Sequence, residues 1–229
     1  MRFGLRKMTL LDYPGKVACT IFTDKCNFAC PFCHNASLVR GDEAALTLSF
    51  AETVEFIDSR RKLLDGVCVT GGEPLLHPDI DKMLLEIKNR DLAVKVDTNG
   101  SFPARLRELV AEGLVDYVAM DIKSSPERYD IVCGKSGMVE KVRESVKFLL
   151  SGAVDYEFRT TVVAELHRAE DFISIGKWIA GAKRYFLQSF VDSGDILSDE
   201  KFSAMDEDNL RYCLNLVREF VPTAELRGR

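Results

Sequence analysis

No run in this chain of 229 residues approaches the ~18 consecutive apolar residues that a membrane-spanning helix needs. Nor is there a long basic stretch: the net charge is −5 and the pI about 5.4. Nucleic acid and membrane surfaces are therefore not expected partners. The opening Met1-Arg-Phe-Gly-Leu-Arg-Lys-Met8 is too short and too charged for a secretory signal, so the expected location is the cytoplasm. There the seven cysteines are reduced thiols rather than a disulfide framework. No CxxC pair occurs among Cys19, Cys68, Cys133 and Cys213, which argues against a second metal cluster. Cys19 and Cys68 stand in apolar, β-branched runs and read as small core residues. Tryptophan is reduced to Trp178, on a helical stretch with Ile175 and Ile179, where packing accounts for it.

What the chain has is alternation. Short apolar runs at 17–22, 67–70, 93–97, 115–120, 156–163, 184–187 and 224–226 read as strands. Between them, apolar residues at helical spacing predict helices over 49–57, 80–88, from Pro103 onward, 139–150, 169–180 and 206–220. Pro103 suits a first helical turn, and Asp206, Glu207 and Asp208 suit the positive end of a helix dipole. Strands alternating with helices imply parallel pairing through right-handed crossovers. About six units fit, fewer than the eight of a closed barrel. The expected fold is α/β: one domain over 1–229, a partial (β/α)6 barrel, with an open curved parallel sheet and helices outside. In such sheets chemistry sits at the carboxyl ends of the strands.

The run 17–22 leads directly into Cys26, Cys30 and Cys33, a CxxxCxxC triplet. Three thiolates are one short of a closed zinc site or a four-cysteine iron–sulfur site; a cubane held by three leaves one iron open to a ligand. The later strand ends deliver Gly71-Gly72-Glu73-Pro74, Asp97-Thr98-Asn99, Asp121 with Lys123, Arg159, and Gln188 with Phe190. Singly, each has an ordinary explanation: a turn, a surface ion pair of little value, a core ring. An adenosyl sulfonium ligand would use them together. Gly71 and Gly72 let backbone carbonyls approach an ammonium. Asp97 and Asn99 suit ribose hydroxyls or a cation, Lys123 and Arg159 a carboxylate, and Phe32 and Phe190 an adenine ring.

At these positions the chain resembles the radical S-adenosylmethionine superfamily, whose signature is this triplet with an aromatic residue before the last cysteine. Asp12-Tyr-Pro-Gly15, Cys33-His-Asn35, Gly71-Gly-Glu-Pro74, Asp97-Thr-Asn-Gly100, Tyr117-Val-Ala-Met-Asp-Ile-Lys123 and Arg159-Thr-Thr161 look like the glycyl-radical-enzyme activases. Among those they look most like anaerobic ribonucleoside-triphosphate reductase activating proteins. The likeness runs from about residue 5 to 187. It implies one 4Fe–4S cluster on Cys26, Cys30 and Cys33, and S-adenosyl-L-methionine on the open iron. It also implies a monovalent cation beside the methionine carboxylate at Asp97, Thr98 and Asp121. The product would be a 5′-deoxyadenosyl radical that removes hydrogen from a glycine of a partner enzyme. Asp24-Lys25 departs from the Gly or Gln common in activases near the first cysteine. With no cysteine between Cys33 and Cys68 there is no ferredoxin-like insertion, so an external donor such as flavodoxin or ferredoxin must supply the electron.

Three rivals remain. One is a radical S-adenosylmethionine enzyme acting on a small molecule, similar to 7-carboxy-7-deazaguanine synthase, or activating a different glycyl radical enzyme. Another is a structural zinc site on Cys26, Cys30, Cys33 and His34, for which the adjacent Cys33 and His34 are poorly spaced. A nucleic-acid module is the third, and the acidic charge opposes it. His34 otherwise reads as a loop residue, and His77 and His167 as surface or capping groups.

Overall fold

A computed structural model describes residues 1–228. In chain order the elements are β1 (Arg2–Thr9), β2 (Ala18–Thr23), α1 (Ala36–Arg40), β3 (Leu48–Ser49), α2 (Phe50–Arg60), β4 (Gly66–Gly71) and α3 (Ile80–Lys88). There follow β5 (Ala93–Thr98), α4 (Pro103–Ala111), β6 (Tyr117–Asp121), α5 (Tyr129–Cys133), α6 (Val139–Leu150) and β7 (Asp155–Val162). The chain closes with α7 (Ala169–Trp178), β8 (Tyr185–Ser189), α8 (Glu207–Arg218) and β9 (Glu225–Arg227). The strand order is β3-β1-β2-β4-β5-β6-β7-β8-β9. Pairing is parallel for β2–β4–β5 and for β7–β8–β9, and antiparallel for β1 with β2 and β3. This is the α/β, partial-barrel class with an open, mostly parallel sheet.

The chain divides into two compact units: residues 1–27, 37–98 and 102–118, and residues 28–36, 99–101 and 119–229. In the first, register places Cys19, Val67 and Val94 in one row and Ile21, Val69 and Val96 in the next. All six are fully buried. Each such aliphatic side chain contributes about 1.5–3 kcal/mol relative to exposure. Burial pushes the Cys19 thiol up to about 12, the inert core cysteine expected. Helix α2 begins with a capping box: Ser49 Oγ accepts the Glu52 N–H at 3.3 Å and Glu52 Oε2 accepts the Ser49 N–H at 2.7 Å. Helix α3 buries Ile80, Met83, Leu84 and Ile87. In the second unit α6 buries Val142, Val146 and Leu149. Asp206 caps α8 by accepting the Asn209 N–H at 3.0 Å.

The 17–22 run is the second strand rather than the first. Strand β1 precedes it, hidden in the sequence because Arg6, Lys7 and Met8 are all exposed and a bulge between Arg6 and Thr9 breaks the alternation. The short helices α1 and α5 also carried no periodic signal.

Candidate functional site

In the first unit the site begins where β2 runs out. Lys25, one residue before Cys26, has a left-handed φ of +57°. Its N–H donates to the Leu38 carbonyl at 2.8 Å and its own carbonyl accepts the Glu73 N–H at 2.8 Å. The Gly72 N–H donates to the Thr23 carbonyl at 3.0 Å. The entry to the cysteine loop is thus seated on the turn that leaves β4. Both glycines are demanded by that seat. A Cβ at Gly71, whose φ is +124°, would stand 2.2 Å from the Thr23 oxygen, and one at Gly72 would stand 1.8 Å from the Lys25 oxygen.

Behind the turn the Glu73 carboxylate is fully buried. It accepts the Thr98 hydroxyl at 2.7 Å and the Leu75 N–H at 3.1 Å, which joins two of the expected site residues. Asp97 pairs with Lys95, a buried lysine that sequence reasoning passed over as part of a strand. The Lys95 ammonium also lies 3.6 Å from the Cys68 sulfur. Cys68 is therefore buried as expected but sits in a polar row, not a purely apolar one. His77 is half-buried and donates through Nε2 to the Asp24 carbonyl at 2.8 Å, tethering the residue two before Cys26.

In the second unit Cys30 is buried and Cys33 half-buried. The Cys33 N–H closes a turn on the Cys30 carbonyl at 3.0 Å, and Leu197 and Ser198 N–H groups donate to the Cys33 and Pro31 carbonyls at 3.2 and 3.1 Å. Asp121 is clamped between two cations, Lys123 Nζ at 2.9 Å and Arg159 Nε at 3.0 Å. Burial alone would raise the Asp121 carboxyl, but Lys123 and Arg159 outweigh it and hold it far below the carboxylate range. Burial alone would lower Lys123, but Asp121 first and then the negative charges of Cys30 and Cys33 raise it well above a normal lysine.

Asn99 makes the expected turn, its Oδ1 accepting the Ser101 N–H at 2.9 Å. Gln188 is half-buried at the end of β8. Phe32 and Phe190 are 4% and 3% exposed, set edge-on to His167 and Phe202; packing by itself accounts for both rings. His34 is an exposed loop residue.

Of the two roles expected for His167, surface or capping, the structure gives the capping one, with the ring 3% exposed. The Val163 N–H donates to its Nδ1 at 3.1 Å, and its Nε2 donates to the Lys123 carbonyl at 2.9 Å. That bonding fixes the neutral tautomer and holds the backbone at Lys123. Burial lowers the ring's pKa, so below the ordinary value of ~6.5 the unfolded chain takes up a proton that the folded chain refuses. Stability should therefore fall as pH drops from 7 towards 5, by up to about 1.4 kcal/mol per pH unit from this group. Thermal melts of the wild type and His167→Gln across that range check it; the variant's slope should be shallower.

Among the described residues, no three or more His, Cys, Asp or Glu side chains converge where a single ion could sit. Thiolates bound to three different irons of a cubane have no such common point. The donor set of three cysteines at CxxxCxxC spacing, two of them close enough to Lys123 to act on its charge, suits an iron–sulfur cluster and is one ligand short of structural zinc. Among the described residues no helix is long and apolar enough to cross a membrane.

Residues 20–170 match the family model of the radical SAM superfamily. A Methanocaldococcus jannaschii protein described as a glycyl-radical enzyme activating enzyme is 28% identical, over 98% of this chain and 94% of its own length. A Halobacterium salinarum protein described as a GTP 3′,8-cyclase is 34% identical over 142 residues, 58% of this chain and 38% of that protein. Among solved structures, a domain of pyruvate-formate lyase-activating enzyme from Bacteroides vulgatus superposes with a TM-score of 0.58 at 16% identity. It covers 71% of this chain and 99% of the domain. Streptococcus suis SuiB bound to S-adenosylmethionine gives a TM-score of 0.69 at 13% identity, covering 90% of this chain and 49% of SuiB. Both structural likenesses concern the fold.

Proposed function

This chain belongs to the radical S-adenosylmethionine superfamily, and from that premise we propose that it activates a glycyl radical enzyme, with an anaerobic ribonucleoside-triphosphate reductase as client. The observation that carries the reading is end-to-end similarity, 98% of this chain against 94% of the relative described as such an activating enzyme. The cyclase likeness stops at 58% of this chain.

Cys26, Cys30 and Cys33 would hold a 4Fe–4S cluster that, with an electron from flavodoxin or ferredoxin, would supply reductive cleavage of S-adenosylmethionine to methionine and the 5′-deoxyadenosyl group, which would leave as 5′-deoxyadenosine with a hydrogen atom from a glycine Cα of the partner. The chain's own residues bind and orient. Lys123 and Arg159, both bonded to Asp121, would present fixed positive charge to a carboxylate of the ligand, and the Gly71 and Gly72 carbonyls would accept from an ammonium. Glu73 stiffens the turn that carries them. By the resemblance, Asp97, Thr98 and Asp121 would take a monovalent cation, Asn99 and Gln188 the ribose and base edge, and Phe32 and Phe190, besides packing, would bound the adenine.

The test is anaerobic incubation of reconstituted protein with dithionite, S-adenosylmethionine and either the candidate reductase or GTP. A protein-based glycyl radical signal on the reductase, with stoichiometric 5′-deoxyadenosine, is the expected result. Consumption of GTP with no radical on the reductase would overturn it in favour of a small-molecule enzyme.

A further inference from the structure

The mechanism above makes no use of the short helix α5 and the turn after it, yet this segment lies against the middle of the cysteine loop. The Cys133 carbonyl accepts the Ala29 N–H at 3.0 Å, and the Cys30 thiol points at the same oxygen from 3.7 Å. The next residue, Gly134, has a left-handed φ of +65°, and a Cβ there would fall 2.2 Å from the Ala29 oxygen. Ala29 is therefore held at both of its peptide groups, its N–H by the bond to the Cys133 carbonyl and its carbonyl, in the Ala29–Cys30 peptide, by the close approach of Gly134. The seat is itself rigid. Tyr129 is fully buried, its hydroxyl 3.5 Å from the Lys123 nitrogen and its ring edge-on to Phe28 at 6.4 Å. Asp130 accepts the Gly137 N–H at 2.9 Å and so fixes the turn.

We propose that Gly134, with the Cys133 carbonyl before it, is a positioning element for cluster binding: it lets the backbone close on Ala29–Cys30 and so sets where the Cys30 sulfur stands. The inference rests on the reading that Cys30 is an iron ligand. Reaching ordinary contact would require a side chain at 134 to push the Ala29 carbonyl away by about 1 Å. Ligand geometry tolerates roughly half that.

The same turn contains its own control. Gly137 has a similar φ, +74°, but a Cβ there would meet nothing within 4 Å. Asparagine is the side chain that best tolerates a left-handed backbone, so Gly134→Asn isolates the steric contact from the conformational strain. Full-length wild type, Gly134→Asn, Gly137→Ala and Cys30→Ala are reconstituted anaerobically. Iron and sulfide per chain, the low-temperature paramagnetic signal of the reduced cluster, and iron loss to a chelator are then read, with melting of the apo-proteins alongside. Groups that orient a metal ligand are worth about 10–100-fold in metal affinity, so Gly134→Asn should lose iron at least about tenfold faster and show a shifted signal. Gly137→Ala should match the wild type. If Gly134→Asn holds iron as tightly as Gly137→Ala while Cys30→Ala is empty, the positioning role is wrong. If Cys30→Ala keeps its full iron, the ligand reading beneath it fails instead. Should Gly134→Asn fold poorly, amide hydrogen exchange at Ala29 in Gly134→Ala against Gly137→Ala decides: unchanged protection would also overturn the proposal.

Discussion

Replacing Cys30 with alanine will leave the protein folded and empty of iron. The thiol is 6% exposed, and the turn around it is made by backbone bonds, such as Cys33 N–H to the Cys30 carbonyl, that alanine keeps. The loss of one buried sulfur should cost about 1–2 kcal/mol, a small shift in melting temperature. The loss of one of three ligands is of another order, because three thiolates are already the minimum for a cubane with an open corner. Iron after reconstitution should fall from about four per chain to under about one, and 5′-deoxyadenosine formation should fall below detection. Cys19→Ala and Cys213→Ala are the matched controls. Burial pushes those thiols up to about 12 and about 11, and both variants should keep a full cluster. A Cys30→Ala protein that still reduces and cleaves S-adenosylmethionine would show that the ligand assignment is wrong. Stoichiometric zinc and no brown chromophore in the wild type would do the same for the cluster.

What could be read from the chain follows from the range of the interactions involved. The 80–88 and 139–150 helices have the bounds that periodicity gives them, because each buries one apolar stripe and each ends in a solvent-exposed turn. The cysteine triplet was legible for a similar reason: its chemistry is set by spacing within eight residues. The strand-end residues could be named as a set because sheet topology decides which ends of the strands carry polar groups, and the structure joins Glu73 with Thr98, and Asp121 with Lys123 and Arg159. Illegible were features fixed by partners remote in sequence. Strand β1 looks like a charged tail until its antiparallel partner is known. Lys95 looks like an exposed strand residue until Asp97 and Cys68 are seen around it. His167 is buried because the carbonyl at 123 and the N–H at 163 receive its ring, and no local pattern encodes that. The two glycines after β4 were read as leaving room for a ligand, and the seat beneath Lys25 supplies an independent reason for them.

That seat gives the second large effect. Gly72→Ala should destabilise the protein by at least about 3 kcal/mol, at the upper end of overpacking costs, and lower the melting midpoint by about 6–12 °C for a chain of this size. Its Cβ would stand 1.8 Å from the Lys25 oxygen and 2.5 Å from the Lys25 carbonyl carbon. Those are backbone atoms, so no rotamer change relieves the contact, and no substitution of the Lys25 side chain can suppress it. The carbonyl cannot swing aside cheaply either, because it accepts the Glu73 N–H at 2.8 Å and Glu73 in turn holds Thr98. Gly15→Ala is the comparison: its φ is +71° but a Cβ there meets nothing within 4 Å, so only conformational strain of about 1–2 kcal/mol is expected. Differential scanning calorimetry of the apo-proteins separates the two. Because Lys25 adjoins Cys26, the alanine that does survive at position 72 should also bind iron less tightly than Gly15→Ala. A Gly72→Ala protein that melts within a degree of wild type would mean the turn after β4 is free to move, and the entry to the cysteine loop is seated elsewhere.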